Sequence, residues 1–187
     1  MMYQFKIQIK NITKPPVWRR LLVPDTFSFH KLHEVIQISF GWENCHLYMF
    51  NPNGYGSKPV IAVPSPDDWD KPDKNAKSTK LSQVFTSEKQ SFTYIYDFGD
   101  DWIHHIVLEK ILSDEVNHPV CLEGKGTCPP EDCGGSWGYE NLKGILADRK
   151  HEEYLDMKEW LGLEVDEEWD ANIFAVDEIN EVLKKHK

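Results

Sequence analysis

Two stretches of the chain concentrate side chains that can hold a cation or move a proton. The first is Tyr94-Ile95-Tyr96-Asp97-Phe98-Gly99-Asp100-Asp101-Trp102-Ile103-His104-His105-Ile106, where acids and imidazoles flank a glycine. The second is Cys121-Leu122-Glu123-Gly124-Lys125-Gly126-Thr127-Cys128-Pro129-Pro130-Glu131-Asp132-Cys133-Gly134-Gly135. A carboxylate beside an imidazole fixes the ring's tautomer and raises its basicity, which suits a metal ligand or a general base. Thiols interleaved with carboxylates suit a soft or borderline cation, zinc first. The candidate catalytic residues are therefore Asp97, His104, Asp100 and Glu131. The candidate metal ligands are Cys121, Cys128, Cys133 and His46, with zinc as the cofactor. Each has a plainer reading: an aspartate that closes a turn, a half-buried histidine bonded to it, and cysteines packed as small apolar side chains. Six residues and then four separate the cysteines, unlike the paired Cys-x-x-Cys of zinc ribbons, so a fourth ligand must come from His118, His46 or His104.

The elements that must position these groups are legible from periodicity. Residues 92–98 are aromatic and β-branched, as a strand requires, and 102–112 form the return strand. With Gly99-Asp100 as a two-residue turn, Asp97 falls opposite Trp102 and Ile95 opposite His104. Asp97 and His104 then share a face as diagonal neighbours roughly 6–8 Å apart. Upstream, residues 3–11 alternate as a half-buried strand and 17–23 form a second. Arg19 and Arg20 in the latter are read as partners of acidic neighbours. Ser28 is a helix N-cap, Leu32, Val35, Ile36 and Phe40 recur at helical spacing, and Gly41 is placed to end that helix. A third strand is expected over 46–50, a short one over 60–63, a polar surface loop over 64–80 and a helical turn over 81–85. Residues 117–135 read as loop. Helical patterns follow over 137–148 and 151–161. An acidic connector spans 164–170, and a last helix, capped by Asp177, runs to a basic tail, 184–187.

This order predicts a two-layer α+β fold. A mixed, mostly antiparallel sheet carries one helix across it, with a β-grasp-like β-β-α-β start and added C-terminal helices. The chain is read as one domain, 1–187, comprising a sheet-and-helix core (1–112), a Cys/Pro/Gly-rich loop (113–135) and a helical part (136–187). Of its 187 residues, 40% are hydrophobic and 28% charged, an ordinary globular composition, and the formal net charge is −10. That charge disfavours non-specific nucleic-acid binding, which depends on phosphate neutralisation. The N-terminal stretch has no apolar signal run and no segment approaches the length of a membrane span, so a cytoplasmic protein with reduced thiols and no membrane association is expected.

The chain resembles the plasmid Ri open-reading-frame-three-like family, also met as the TnpR-type passenger protein of insertion elements. The residues that carry the resemblance are Pro16-Val17-Trp18-Arg19-Arg20, Leu32-His33, Gly41-Trp42 with His46-Leu47 and Phe50, Tyr96 to Trp102 with His104, and Cys121 with Cys128-Pro129-Pro130-Glu131-Asp132-Cys133-Gly134-Gly135 and Gly138-Tyr139. The resemblance implies an α+β domain, carried in part on mobile elements, and implies no activity. The nucleophilic serine and arginine-rich site of a serine resolvase are not found here. The first expectation for function is a non-enzymatic accessory or interaction module with a protein partner. Beside it stands a metal-dependent or acid–base hydrolase with its site between the 96–105 hairpin and the 121–133 loop. A DNA-binding accessory protein comes third. The hydrolase reading requires His46, Asp97, His104 and the cysteine loop to meet in one concave pocket.

Overall fold

A computed structural model describes residues 1–66, 71–113, 116–164 and 166–186. Part of the expected polar loop (67–70), residues 114–115 of the expected Cys/Pro/Gly-rich loop, Val165 of the acidic connector and the last residue of the basic tail lie outside the described residues. The strands are β1 (Met2–Ile9), β2 (Trp18–Pro24), β3 (Tyr48–Asn51), β4 (Ile61–Ala62), β5 (Lys74–Asn75), β6 (Ser91–Tyr96), β7 (Trp102–Leu112) and β8 (Val120–Lys125). They form one sheet in the order β5-β4-β3-β6-β7-β1-β2-β8, antiparallel except for the parallel β4–β5 pair. Helix α1 (Phe29–Phe40) lies across the sheet, and α2 (Gly135–Ala147), α3 (Tyr154–Trp160) and α4 (Val176–Leu183) follow. The mixed sheet with added helices is the α+β fold expected. Among the described residues no helix is long and apolar enough to cross a membrane.

Helix α1 begins and ends where its sequence says. Ser28 accepts from the Lys31 N–H, and Gly41, at φ 90°, turns the chain out through the left-handed region that favours glycine. The buried stripe of α1, with Phe29, Leu32, Val35, Ile36 and Phe40, packs against Phe5, Phe50, Phe85, Phe92 and Tyr94 of the sheet layer. His33 joins the same interface. Its Nδ1 lies 2.8 Å from the Tyr94 hydroxyl and its Nε2 2.7 Å from Asn44 Oδ1, and burial lowers its pKa to about 4.

Two arginines that neighbour each other on β2 have different tasks. Arg20 pairs bidentately with Glu109 at 2.6 and 3.0 Å, as its acidic surroundings suggested. Arg19 is 3% exposed and meets carbonyls instead. Its Nε donates to Ser39 O, Nη1 to Trp18 O and Lys125 O, and Nη2 to Gly126 O, all at 2.8–3.0 Å. The rings of Phe40 and Phe174 lie 4.9 and 4.6 Å from the guanidinium. Burial lowers the Arg19 pKa.

Four expectations are corrected. Residues 113–135 are not all loop: 120–125 pair with β2 as an edge strand. The strand escapes pattern reading because Cys121 is its only buried residue. Asn180 of α4 covers part of that edge, accepting from Cys121 N at 2.8 Å and donating to Cys121 O at 2.9 Å. The third strand starts at Tyr48, not His46, and the last helix starts at Val176 with Ala175, not Asp177, at its cap. The β6–β7 hairpin pairs Tyr96 with Trp102 and Tyr94 with His104, one residue away from the expected register. A five-residue loop replaces the two-residue turn. Asp101 N donates to Asp97 O at 2.8 Å, and Asp97 and Asp101 both adopt positive φ, 54° and 55°. Aspartate tolerates that conformation, and the Asp97 side chain stabilises it by accepting from Gly99 N at 2.9 Å.

The shift places His104 inside the core, away from Asp97. Its ring is fully buried among Phe40, Trp42 and Tyr94, Nδ1 donates to Trp102 O at 2.8 Å, and burial lowers its pKa to about 3. His33 and His104 are thus neutral when folded, whereas an exposed histidine titrates near 6.5. The unfolded chain takes up their protons first, so their contribution is complete above pH ~6.5 and fades as pH falls toward 4 and below. Denaturant unfolding is expected to show roughly 3 kcal/mol less stability at pH 5 than at pH 7 from these two rings. Imidazole NMR at pH 5 should find both still neutral; a protonated ring at that pH would refute the assignment.

Candidate metal centre

Three segments converge beyond the end of the β6–β7 hairpin: the strap 42–47 that joins α1 to β3, the hairpin loop 97–101, and the loop 126–134 between β8 and α2. Their union is built from ordinary hydrogen bonds. Trp42 Nε1 donates to Pro129 O at 3.0 Å, tying strap to loop. Asp100 Oδ2 accepts from Gly134 N at 3.0 Å, tying hairpin to loop. The backbone approach there is close: a Cβ on Gly135, whose φ is +67°, would lie 2.5 Å from Asp100 O. Leu47 O accepts from Asp97 N at 2.9 Å, tying strap to hairpin.

At the junction, His46 faces three carboxylates. Its Nε2 lies 3.2 Å from Asp132 Oδ1, 3.8 Å from Asp97 Oδ2 and 3.8 Å from Glu131 Oε2. Glu131 is oriented from its other oxygen. Oε1 accepts from the Tyr96 hydroxyl and from Glu43 N, each at 2.9 Å. Burial holds the Tyr96 pKa high, so the phenol stays protonated and donates, while its oxygen accepts from Cys45 N at 3.1 Å. These bonds leave Glu131 Oε2 and His46 Nε2 facing one another, both sealed from solvent and neither with a hydrogen-bond partner. Their separation is too long for a hydrogen bond. It is close to the spacing of two atoms that bind one ion: ligands about 2.1 Å from a tetrahedral zinc lie about 3.4 Å apart.

Among the described residues, two groups of His, Cys, Asp or Glu offer ligand atoms all within 4.8 Å of one another: His46, Asp97 and Asp132, and Cys45, His46 and Glu131. Of the expected metal ligands, His46 lies in both groups, and Cys121, Cys128 and Cys133 lie in neither. Cys121 sits on β8, and it and Cys128 lie near Arg19. Burial pushes the Cys121 thiol up to about 11, Cys133 to about 12 and Cys128 well above its ordinary value, as suits packed, protonated thiols. Of the expected catalytic residues, Asp97 and Glu131 reach the junction. Asp100 serves the hairpin–loop clamp, and His104 lies in the core behind Trp42. Asp132, not among those expected residues, lies beside His46, its backbone at φ 56°. The orienting hydroxyl of Tyr96 was not anticipated. Its place on a strand next to Asp97 was the only available signal.

Comparison with known proteins agrees across nearly the whole chain. The model of the plasmid pRiA4b ORF-3-like proteins matches residues 1–178. An uncharacterised protein, y4hQ, of Sinorhizobium fredii is 38% identical over 160 residues, covering 85% of this chain and 80% of that one. The crystal structure of MM3350, a protein of unknown function from Methanosarcina mazei Go1, superposes with a TM-score of 0.78 at 38% identity, covering 94% of this chain and 96% of that one.

The clamp supplies a direct test. Gly135→Ala forces both a left-handed alanine and a collision with Asp100, and should cost roughly 2 kcal/mol or more in denaturant unfolding. Gly144→Ala on the same helix meets nothing within 4 Å and should be neutral or stabilising by up to ~1 kcal/mol. Equal stability of the two variants would argue against the hairpin–loop junction.

Proposed function

The chain belongs to the plasmid pRiA4b ORF-3-like family, and we propose that it is a divalent-cation-dependent enzyme of the hydrolytic type, its cation held by His46, Glu131 and Cys45, with Asp97 and Asp132 beside His46. The observation that carries this reading is the sealed pair of ligand atoms without a hydrogen bond, His46 Nε2 and Glu131 Oε2, 3.8 Å apart. Burying two such atoms without hydrogen bonds is costly, and one shared ion would satisfy both. Three carboxylates around one imidazole also call for positive charge. An imidazole–carboxylate set suits zinc, manganese or ferrous iron, and Cys45, exposed and beside His46 and Glu131, tilts the choice toward zinc.

A cation there supplies Lewis acidity toward a carbonyl or phosphoryl oxygen and lowers the pKa of water. The chain's own groups divide the remaining work. Tyr96 and Glu43 N fix Glu131, as outer-shell donors fix metal ligands elsewhere. Asp97 is held by its turn. Asp132, with a side chain 74% exposed, faces solvent and is the group placed to accept a proton from water. A second reading, a non-enzymatic interaction module, draws on the exposed aromatic side chains Trp137 and Trp160.

Titration calorimetry with zinc and manganese is expected to show one site per chain. His46→Ala should weaken it at least about 100-fold and Tyr96→Phe about tenfold, whereas Cys133→Ser should leave it intact. Hydrolysis of activated esters or phosphoesters should then vanish with chelator and return with metal. Binding that survives His46→Ala, or that is lost in Cys133→Ser, would move the metal to the thiols. A chain that binds no cation would leave the interaction-module reading.

A further inference from the structure

Beside the centre, α2 and α3 leave an open groove of about 290 Å³ between them. Trp137, Leu142, Ile145, Met157 and Trp160 form its apolar lining, and Asp132 stands at one end. Asp132 is also the residue whose carboxylate lies 3.2 Å from His46 Nε2. Groove and centre therefore share a wall. Trp137 is 80% exposed and Trp160 48%, so two indole faces stand open to solvent although α2 buries Tyr139, Leu142 and Ile145 nearby. Among the described residues of the lining, Asp132 alone is charged, and its exposed carboxylate borders the centre.

We infer that this groove is the subsite for the apolar group of the compound handled at the centre, and that this compound is a carboxylate, amide or ester bearing one bulky aromatic group. The inference rests on the cation reading given above, because the cation makes the Asp132 end of the groove complementary to an oxygen-donor head group. Three features of the groove set the rest of the ligand. Its volume lies at the bottom of the range for small-molecule sites, which limits the occupant to about one ring system and its linker. Its tryptophans offer stacked or edge contacts to a ring, and the Met157 side chain can adapt to the ring's outline. Its far end carries no charged residue, so a second charged group on the ligand would find no partner there. Head and ring must therefore sit at opposite ends of a short molecule.

The test compares two metal-binding probes on the full chain loaded with zinc: acetohydroxamate, which carries only the head group, and phenylacetohydroxamate, which adds the ring. Zinc binding is measured first by calorimetry, then each hydroxamate by calorimetry and by tryptophan fluorescence. The aromatic probe should bind about tenfold tighter or more and should perturb the fluorescence. In Trp137→Ala and Trp160→Ala, both at exposed positions, that advantage should shrink to about threefold or less while zinc affinity is unchanged. Equal binding of the two probes to zinc-loaded protein, or an advantage that survives both substitutions, would overturn the groove assignment and leave the centre standing. Failure to bind zinc or manganese at all would overturn the centre and the groove assignment together.

Discussion

The buried guanidinium of Arg19 fixes where the candidate centre can be. It is a full positive charge inside the fold, and four backbone carbonyls satisfy it: those of Trp18, Ser39, Lys125 and Gly126. Ser39 is one residue from the end of α1, and Lys125 and Gly126 are the end of β8 and the residue after it. The strap that carries His46 leaves from the first, and the loop that carries Glu131 and Asp132 leaves from the second. One side chain thus sets the starting points of both halves of the site. A lysine offers three donors on one atom and cannot span four carbonyls in this fork. Phe40 and Phe174 shield the charge from water, which strengthens its bonds and makes any missing partner costly.

Tyr96 completes the arrangement from the sheet side. Its hydroxyl joins the strap at Cys45 N and the loop at Glu131, and its strand leads directly into Asp97. Rigid elements therefore aim each side chain of the junction: a strand end for Asp97, a tyrosine anchored in a central strand for Glu131, and a strap tied through Trp42 for His46. Positive φ at Asp97 and Asp132 puts modest backbone strain next to the junction, where side-chain direction matters most.

Much of this was legible in the sequence. Ser28 and Gly41 mark the ends of α1, alternation marks β1, and His46, Asp97 and Glu131 stand out as groups able to do chemistry. Two kinds of information were not local. Gly99-Asp100 can host a two-residue turn, so the hairpin register was ambiguous until tertiary packing put Tyr94, Tyr96, Trp102 and His104 together on the face toward α1. That choice separates His104 from Asp97. The ligand set was hidden for a related reason. Cys121, Cys128 and Cys133 are close in sequence, but an edge strand and the surroundings of Arg19 draw Cys121 and Cys128 inward, while Cys133 lines the groove between α2 and α3. His46 and Glu131 are 85 positions apart in the numbering and meet through tertiary ties such as Trp42 to Pro129 and Tyr96 to Glu131.

The Asn180 bracket on β8 has a consequence for how copies of this protein behave toward one another. An unpaired strand edge is a template on which another chain can add. Here the amide of Asn180 imitates a neighbouring strand for one residue, accepting from and donating to Cys121 as a backbone would. The last helix therefore acts as a sheath over the sheet's β8 margin. A chain cut short before α4 would lose that sheath, and its eight-stranded sheet would carry a sticky border through which molecules could join strand to strand.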